Sequence, residues 1–245
     1  MTLLTATWPS LHNVGTLSTT REGGVSKPPF TSLNLGLHVG DNEHDVLKNR
    51  SLLNACLPKS KPIVWLNQIH SARVLNVDEQ FDFTSLHDAD ALYTQSLNQP
   101  LAIMTADCLP ILLANDDGTE VAAIHGGWRS LEQGIIKNTI ACFNANSASI
   151  NAWLGPAIGP NQFEVGADVF ALFKAQNPLF KTAFKAHGNQ KYLANIYKIA
   201  GLLLSQLGIK KITGAVHCTV SQPTQFFSYR RDRKTGRMAS LIWRK

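Results

Sequence analysis

The sequence predicts a mixed α/β protein that folds as one domain over residues 1–245. Its length permits one or two domains of ordinary size, and no Gly/Ser linker, repeat or low-complexity tract marks a boundary. The composition, 44% hydrophobic and 16% charged, supplies a large core and excludes a disordered or coiled-coil chain. Short β-like runs alternate with a few helical patterns, without the regular alternation of a parallel βαβ protein.

The first hundred residues predict several strands and one helix. Short apolar runs bounded by turn residues indicate strands over 14–20, 63–69, 74–77 and 91–94. Asp41 or Asn42 caps the predicted helix, on which Val46, Arg50 and Leu53 recur at helical spacing. That spacing places Arg50 beside an apolar stripe, where an arginine needs a partner.

The stretch 101–130 is typical of a strand, a hairpin, a second strand and a helix. Strands are predicted over 101–104, 110–114 and 121–125, with a turn at 115–118. A turn centred near Asp117 places Leu109 opposite His125, so Cys108 and His125 occupy neighbouring cross-strand positions. Their Cβ atoms are then roughly 5 to 8 Å apart, close enough for both side chains to hold one ion.

A helix after this hairpin has its own start signal. Ser130 and Gln133 have the spacing of a capping box, and an apolar face continues to Phe143. The remaining predictions are a helix over 193–207 and a closing β-hairpin with strands over 226–229 and 238–243.

The charge pattern argues against a nucleic-acid partner. Formal net charge is +6, but residues 226–245 hold seven basic residues and one acidic residue, Asp232. Basic and acidic residues balance in the rest of the chain. Charge confined to one short segment indicates a local anion site rather than a broad DNA-binding face.

Other features predict a cytoplasmic protein that does not contact a membrane. The four scattered cysteines include no C-x-x-C pair, which indicates reduced thiols rather than disulfides. No run approaches the roughly 18 apolar residues of a membrane helix, and residues 1–20 lack the basic start of a signal peptide. No sustained heptad is visible, so we expect a monomer.

Three residues that can ligate a transition metal stand at predicted strand ends. His70 follows the strand 63–69, Cys108 follows Asp107, and His125 precedes two glycines. Two imidazoles and one thiolate form a common zinc set, and three protein ligands leave a fourth position for water or substrate. Zinc in such a site can lower the pKa of its bound water to about 7.

The same residues permit three other interpretations. Both histidines can be hydrogen-bonded strand-end residues and Cys108 a small buried thiol. Cys108 can also be a nucleophile with either histidine as its base and Asp107 or Asn67 as orienting group, without a metal. A copper site that includes Met104 ranks last, because Met104 lies four residues from Cys108 along an extended run.

Short motifs occur in order along nearly the whole chain. They are STTREGGVS at 18–26, SLNLG at 32–36, GD at 40–41, NR at 49–50, NQIH at 67–70, TADCLP at 105–110, HGGWR at 125–129, LGPAIGP at 154–160, FSYRRD at 227–232 and TGRMAS at 235–240. Together they resemble the YfiH-like family, also called the laccase-domain or polyphenol-oxidase family. That family usually has Ala at 126 and Gly at 130, where this chain has Gly126 and Ser130. Neither departure replaces a ligand.

The resemblance implies a single-domain α/β (α+β) fold, in which two mixed β-sheets pack face to face with helices outside, as a four-layer sandwich. It implies zinc bound by His70, Cys108 and His125. The implied activity is purine nucleoside phosphorolysis, which converts adenosine or inosine and phosphate to the free base and ribose 1-phosphate. Methylthioadenosine cleavage and deamination of adenosine to inosine belong to the same expectation. Some bacterial members are also described as peptidoglycan editing factors.

A phosphate co-substrate needs cationic side chains, and several arginines are candidates. Arg50 is the first, because its charge is otherwise hard to justify on an apolar helix face; the alternative is an arginine that extends to solvent. Arg129, Arg230 and Arg21 are weaker candidates. Asp107 is a candidate partner of the ligands or a proton shuttle for the purine, although strand-end aspartates often satisfy backbone donors.

Trp128 can stack on a base, though core packing explains a tryptophan there equally well.

Three hypotheses about function result. The first is a zinc-dependent phosphorylase and deaminase. The second is a metal-free Cys/His hydrolase or amidase acting in peptidoglycan precursor editing, which chelation would leave active. The third is a non-enzymatic accessory protein of wall synthesis, and a copper polyphenol oxidase ranks below all three.

Overall fold

The computed structural model describes residues 1–8, 11–58, 61–78 and 81–245. Its strands are β1 (Leu3–Leu4), β2 (Val14–Thr19), β3 (Leu66–Asn67), β4 (Val74–Asn76), β5 (His87–Asp88), β6 (Ala91–Thr94), β7 (Leu101–Thr105), β8 (Leu109–Asn115), β9 (Val121–Gly126), β10 (Ile150–Leu154), β11 (Glu164–Gly166), β12 (Phe184–Ala186), β13 (Lys191–Ala194), β14 (Lys211–Gly214) and β15 (Met238–Arg244). Its α-helices are α1 (Glu43–Asn54), α2 (Trp128–Glu132), α3 (Ile135–Ile140), α4 (Ala167–Gln176), α5 (Ile196–Gln206) and α6 (Tyr229–Asp232). Short 3-10 helices lie at Leu37–Val39, Ser147–Ser149 and Pro178–Ala183. Within these described ranges, no helix is long and apolar enough to cross a membrane.

Two β-sheets form the centre of the fold. The smaller sheet has four strands in the order β1-β2-β15-β7, and each neighbouring pair is antiparallel. The larger sheet has six strands in the order β14-β10-β8-β9-β6-β4. It is mixed, because both edge strands run parallel to their neighbours. A three-stranded sheet (β11-β13-β12) and the pair β3-β5 lie beside them.

The two large sheets pack face to face. Ile103 of β7 and Ile242 of β15 share one apolar cluster with Leu112 of β8 and Ala123 of β9. All four side chains are completely buried, and burial of apolar area contributes roughly 25 cal/mol per Å². The predicted α/β fold class is confirmed.

Helices cover the outer faces of both sheets. On the larger sheet, Phe173 of α4 and Ile199 of α5 belong to one cluster with Ile111 of β8. On the smaller sheet, Leu53 of α1 packs in a cluster with Leu241 of β15. The sequence of layers is therefore helix, sheet, sheet, helix.

The helix predicted from Ser130 starts earlier and is interrupted. α2 begins at Trp128, after an extended Gly127 that makes no side-chain cap. Ser130 Oγ is buried and has no hydrogen-bond partner among the described residues, so the predicted capping box is wrong. Gly134 has a φ of 90°, a left-handed conformation that suits glycine, and separates α2 from α3.

The predicted closing hairpin is also wrong. Ser228 instead caps the short helix α6 by accepting a hydrogen bond from the Arg231 amide. β15 lies between β2 and β7 in the smaller sheet. The predicted strand 63–69 is reduced to β3 and an isolated bridge at Val64. The helix predicted over 193–207 begins only at Ile196, because residues 191–194 form β13.

Candidate metal centre

The turn after β3, the residue before β8 and the end of β9 bring His70, Cys108 and His125 together. Their ligand atoms all lie within 4.8 Å of one another. Cys108 Sγ is 3.8 Å from His70 Nε2, and the two imidazole centroids are 4.7 Å apart. His70 is exposed at the surface, whereas His125 is buried. The three side chains therefore lie close enough together to bind one ion, as the sequence predicts.

The β8–β9 hairpin accounts for two of the three positions. Pro110 pairs with His125 and Leu109 with Gly126, which is one residue away from the predicted register. Cys108 precedes β8 by one residue, so its side chain still reaches His125. His70 enters from a turn after β3 with a φ of 58°. A left-handed residue that is not glycine is uncommon and is often found at functional sites.

A buried carboxylate that the sequence analysis did not identify organises this centre. Asp90 is completely buried, and its Oδ1 lies 2.8 Å from His125 Nδ1. The same carboxylate accepts hydrogen bonds from the amides of residues 69, 70 and 71 and from the Ser71 hydroxyl. Its backbone carbonyl accepts the His125 amide. One side chain therefore holds both histidines in place.

Asp90 also decides which imidazole nitrogen faces the other ligands. Because Nδ1 of His125 donates to the carboxylate, Nε2 is left to bind a metal. The only sequence signal for Asp90 is its place between Ala89 and Ala91 immediately before a strand, where small neighbours indicate close packing.

The site favours a thiolate next to an imidazolium. Burial raises the pKa of Cys108, but the charge of His125 and hydrogen bonds from both histidines more than offset this, and the pKa is lowered to about 6. Burial lowers the pKa of His125, but the charge of Cys108 and the hydrogen bond to Asp90 raise it to about 9. A thiolate is the form of cysteine that binds metals and acts as a nucleophile.

The donor set fits zinc. Two nitrogens at about 2.0 to 2.1 Å and one sulfur at about 2.3 Å in tetrahedral geometry imply a sulfur–nitrogen separation of about 3.6 Å. The observed 3.8 Å between Cys108 Sγ and His70 Nε2 is close to that value. No fourth His, Cys, Asp or Glu joins the cluster among the described residues, so one coordination position is open.

Gly127 makes room for these ligands. A Cβ atom at this position would lie 2.9 Å from Cδ2 of His70 and 3.5 Å from Sγ of Cys108. The first distance is shorter than real Cβ contacts, so any other residue would displace His70. A Cβ at Gly126, where the family usually has alanine, would lie 2.8 Å from the Leu109 carbonyl oxygen. That carbonyl belongs to the neighbouring strand β8.

Two cavities meet at the centre. The first lobe has a volume of about 420 Å³ and is lined by His38, Gln68, Met104, Thr105 and Arg237 as well as the three ligands. The second lobe has a volume of about 290 Å³ and is lined by His70, Cys108, Trp128, Phe163 and three arginines. Ala106 and Tyr229 border both lobes. Clefts of this size and mixed polarity are typical of small-molecule sites.

Asp107 occupies the wall of the second lobe, where it binds the C-terminal segment. Oδ1 accepts the Thr219 hydroxyl at 2.6 Å, and Oδ2 accepts the Ser228 hydroxyl and the Arg230 amide. Asp107 has a φ of 99°. The carboxylate thus ties α6 to the loop that carries Cys108, and a catalytic role for Asp107 stays a prediction.

The predicted phosphate-binding arginines lie in different places. Arg50 packs on the Trp65 ring at 4.0 Å and donates to the Leu35 carbonyl, and burial lowers its pKa to about 10. Its guanidinium also lies 3.8 Å from the sulfur of Met104, behind the wall of the first lobe. Arg21 lines a separate groove.

Arg129 and Arg230 both line the second lobe. Arg237, which was not among the arginines predicted from the sequence, lines the first lobe. Burial lowers the pKa of Arg237, while the charges of Cys108 and Asp107 act in the opposite direction. Its signal was its place in the TGRMAS motif.

Both proposed orienting groups of the metal-free alternative bind other residues, since the Asp107 carboxylate accepts from the C-terminal segment. Asn67 donates to Asp88 rather than to a histidine, and Asp90 is the residue that orients His125. Met104 lines the first lobe, but its backbone binds the Gln68 side chain and its sulfur faces Arg50. Trp128 borders the second lobe with the Arg129 guanidinium 4.4 Å from its ring.

Residues 15–245 match a family model described as multi-copper polyphenol oxidoreductase laccase. The chain is 49% identical over 243 residues to "Purine nucleoside phosphorylase YfiH" of Escherichia coli (strain K12), and the match covers 98% of each chain. It is 45% identical over 246 residues to a "Purine nucleoside phosphorylase" of Haemophilus influenzae, with 99% of each covered. A crystal structure of a Neisseria meningitidis protein has a TM-score of 0.95, 47% identity and full coverage of both chains.

Proposed function

We propose that this chain, which belongs to the YfiH-like laccase-domain family, is a zinc-dependent purine nucleoside phosphorylase. The observation that carries the proposal is the set of three ligands between two lobes. Relatives at 49% and 45% identity are named purine nucleoside phosphorylase. Phosphorolysis requires phosphate and nucleoside to meet at one carbon from opposite sides, and two lobes that join at one centre suit that requirement.

His70, Cys108 and His125 would hold the zinc ion. When bound, zinc supplies a Lewis acid and an activated water. Asp90 contributes by fixing the His125 ring and the backbone of the His70 turn before the ion arrives. Copper remains an alternative ion for the same donor set, because imidazole and thiolate also bind copper.

We assign the phosphate to the first lobe. Arg237 lines this lobe, and its Nη1 is fixed by the carbonyls of residues 235 and 236. A guanidinium that is already positioned binds a phosphate with less loss of entropy than a free one. Arg50 adds positive charge behind Met104, from a position held by Trp65 and Leu35.

The nucleoside then occupies the second lobe. Trp128 and Phe163 offer aromatic surface for the purine, and Arg129 and Arg230 border it. An oxygen of phosphate attacks C1′ of the ribose, the C1′–N9 bond breaks, and its electron pair passes to the purine, which takes up a proton. The products are the free base and ribose 1-phosphate. Asp107 supports this lobe by holding α6.

The same site would deaminate adenosine when water rather than phosphate is the nucleophile. Water then adds at C6 of the purine, and ammonia leaves to give inosine. Methylthioadenosine presents the same C1′–N9 bond and belongs to the proposed substrate range. We further propose a cytoplasmic, single-domain monomer, and we leave a role in peptidoglycan editing as a separate cellular hypothesis.

Metal analysis and product analysis on one sample test this function. We expect about one zinc per chain in protein purified without added metal, and adenine from adenosine only when phosphate is present. Cys108→Ser should lose both zinc and turnover. Cys56→Ser is the matched control, because Cys56 is exposed and lines neither lobe. Full turnover in zinc-free Cys108→Ser would contradict the proposal.

A metal-free cysteine hydrolase is the second candidate, favoured by the lowered pKa of Cys108 and the nearby histidines. It predicts that a strong chelator leaves activity intact and that iodoacetamide abolishes it. If the protein is a zinc-dependent phosphorylase, the chelator should abolish activity, because turnover needs zinc. Iodoacetamide should then have little effect, because zinc protects the thiolate.

A further inference from the structure

The second lobe carries more positive charge than a nucleoside needs. Arg129, Arg230 and Arg233 all line it, together with apolar side chains. Asp107 is the one carboxylate among its lining residues, and three hydrogen bonds from the C-terminal segment already occupy that carboxylate. Three arginines therefore line a cavity whose one lining carboxylate already has hydrogen-bond partners.

Two of these arginines are held in position. The Arg230 guanidinium donates to the carbonyls of Gln162 and Glu164, and its backbone amide donates to Asp107. The Arg129 guanidinium lies 4.4 Å from the Trp128 ring. Such guanidinium groups lose little freedom when they bind a phosphate or carboxylate, which they can contact through two parallel hydrogen bonds.

A neutral nucleoside leaves this charge without a partner. Under the proposed function the attacking phosphate occupies the first lobe with Arg237, so it does not account for three arginines in the other lobe. A basic cavity next to a reaction centre concentrates anions and favours substrates that carry negative charge.

We propose that the second lobe recognises an anionic group attached to the substrate, so that the preferred substrate class is a purine nucleoside bearing a phosphate ester or carboxylate on its sugar. This inference rests on the proposed function, because that function places the nucleoside in the second lobe. In this proposal the apolar side chains of the lobe contact the base, and its lining arginines contact the charged substituent.

Calorimetric titration of the zinc-containing protein, with each probe added alone, tests the inference by affinity rather than by phosphorolysis. The probes are adenosine, adenosine 5′-monophosphate, adenosine 5′-carboxylic acid and inorganic phosphate. We expect at least one charged nucleoside to bind about tenfold more tightly than adenosine, with the difference shrinking as salt concentration rises. The ester and the acid distinguish the two sources of negative charge. Equal affinity for all three nucleosides would overturn the inference.

Arg233→Gln gives the second arm of the test. We expect it to reduce the ratio of affinities for charged nucleoside over adenosine by about tenfold. Arg73→Gln is the matched control, because Arg73 is exposed and lines neither lobe. A loss of affinity for inorganic phosphate in Arg233→Gln, with an unchanged ratio, would place the attacking phosphate in this lobe and overturn the proposal.

The two proposals fail in different ways. Suppose that a charged nucleoside binds more tightly than adenosine, that Arg233→Gln lowers this preference, and that no phosphorolysis occurs. This result would contradict the proposed function and support recognition of an anionic substituent. Phosphate-dependent cleavage with no preference for charged nucleosides would support the proposed function and contradict the inference.

Discussion

Two buried aspartates flank the candidate metal centre and hold different parts of it. Asp90 is distant in sequence from both histidines, yet its carboxylate binds the His125 side chain and three amides of the His70 turn. Asp107 is adjacent to Cys108 in sequence, yet its carboxylate faces away to two hydroxyls and an amide of the C-terminal segment. Adjacency in sequence to a candidate ligand therefore does not decide which carboxylate organises the site.

The largest expected effect comes from Asp90→Ala. It leaves His125 Nδ1 and several buried donors without a partner, which costs about 3 to 5 kcal/mol of the free energy of unfolding. Zinc affinity should fall by about 100-fold, because the His125 ring and the backbone of the His70 turn both lose their hydrogen-bond acceptor. Urea denaturation and competition with a chromogenic chelator measure the two quantities.

Asp90→Asn provides the matched control, since it keeps the shape and one acceptor oxygen. We expect an intermediate loss in both measurements. Wild-type zinc affinity in a folded Asp90→Ala protein would show that the carboxylate has a structural role only.

The sequence predicted the central strands, and the clustering of His70, Cys108 and His125, better than the connections between strands. The β8–β9 hairpin follows from the apolar runs and the turn at 115–118, because alternation and turn residues are local signals. Its register differs by one residue, since a turn can be centred on either of two neighbouring positions. Gly134 interrupts a continuous apolar pattern through its own backbone conformation, which periodicity does not report.

The site residues that the sequence did not predict depend on tertiary contacts. Asp90 is separated from His125 by 35 residues, and an acidic residue before a strand usually indicates the protein surface. Arg237 reaches the first lobe only because β15 lies between β2 and β7, whereas the sequence pattern indicated a closing hairpin.

Gly127→Ala displaces a ligand while both aspartates stay in place. The new Cβ lies 2.9 Å from His70 Cδ2, so we expect about a tenfold loss of zinc affinity with little change in unfolding. The backbone of Gly127 is extended with a φ of −67°, which alanine also adopts. Gly201→Ala in α5 is the control, because its Cβ meets no atom within 4 Å and zinc affinity should not change. Equal zinc affinity in both variants would mean that His70 moves freely.

Arg237→Gln separates the first lobe from the centre itself. We expect the KM for phosphate to rise about tenfold while zinc content stays at one per chain, because Arg237 lines the lobe without ligating the ion. Steady-state kinetics at varied phosphate concentration measure the change, with Arg73→Gln as control. An unchanged KM for phosphate would indicate that phosphate binds to the arginines of the second lobe instead.

Of these variants, Asp107→Asn should change zinc affinity least. Asp107→Asn keeps an acceptor for Thr219 or Ser228 and weakens the link between the Cys108 loop and α6. Unfolding should become easier by about 1 to 2 kcal/mol, and zinc affinity should change by less than about twofold. Affinity for adenosine should fall, because α6 carries Tyr229 and Arg230 of the second lobe. If zinc affinity instead fell as far as in Asp90→Ala, the two carboxylates would share one task and the contrast between them would be lost.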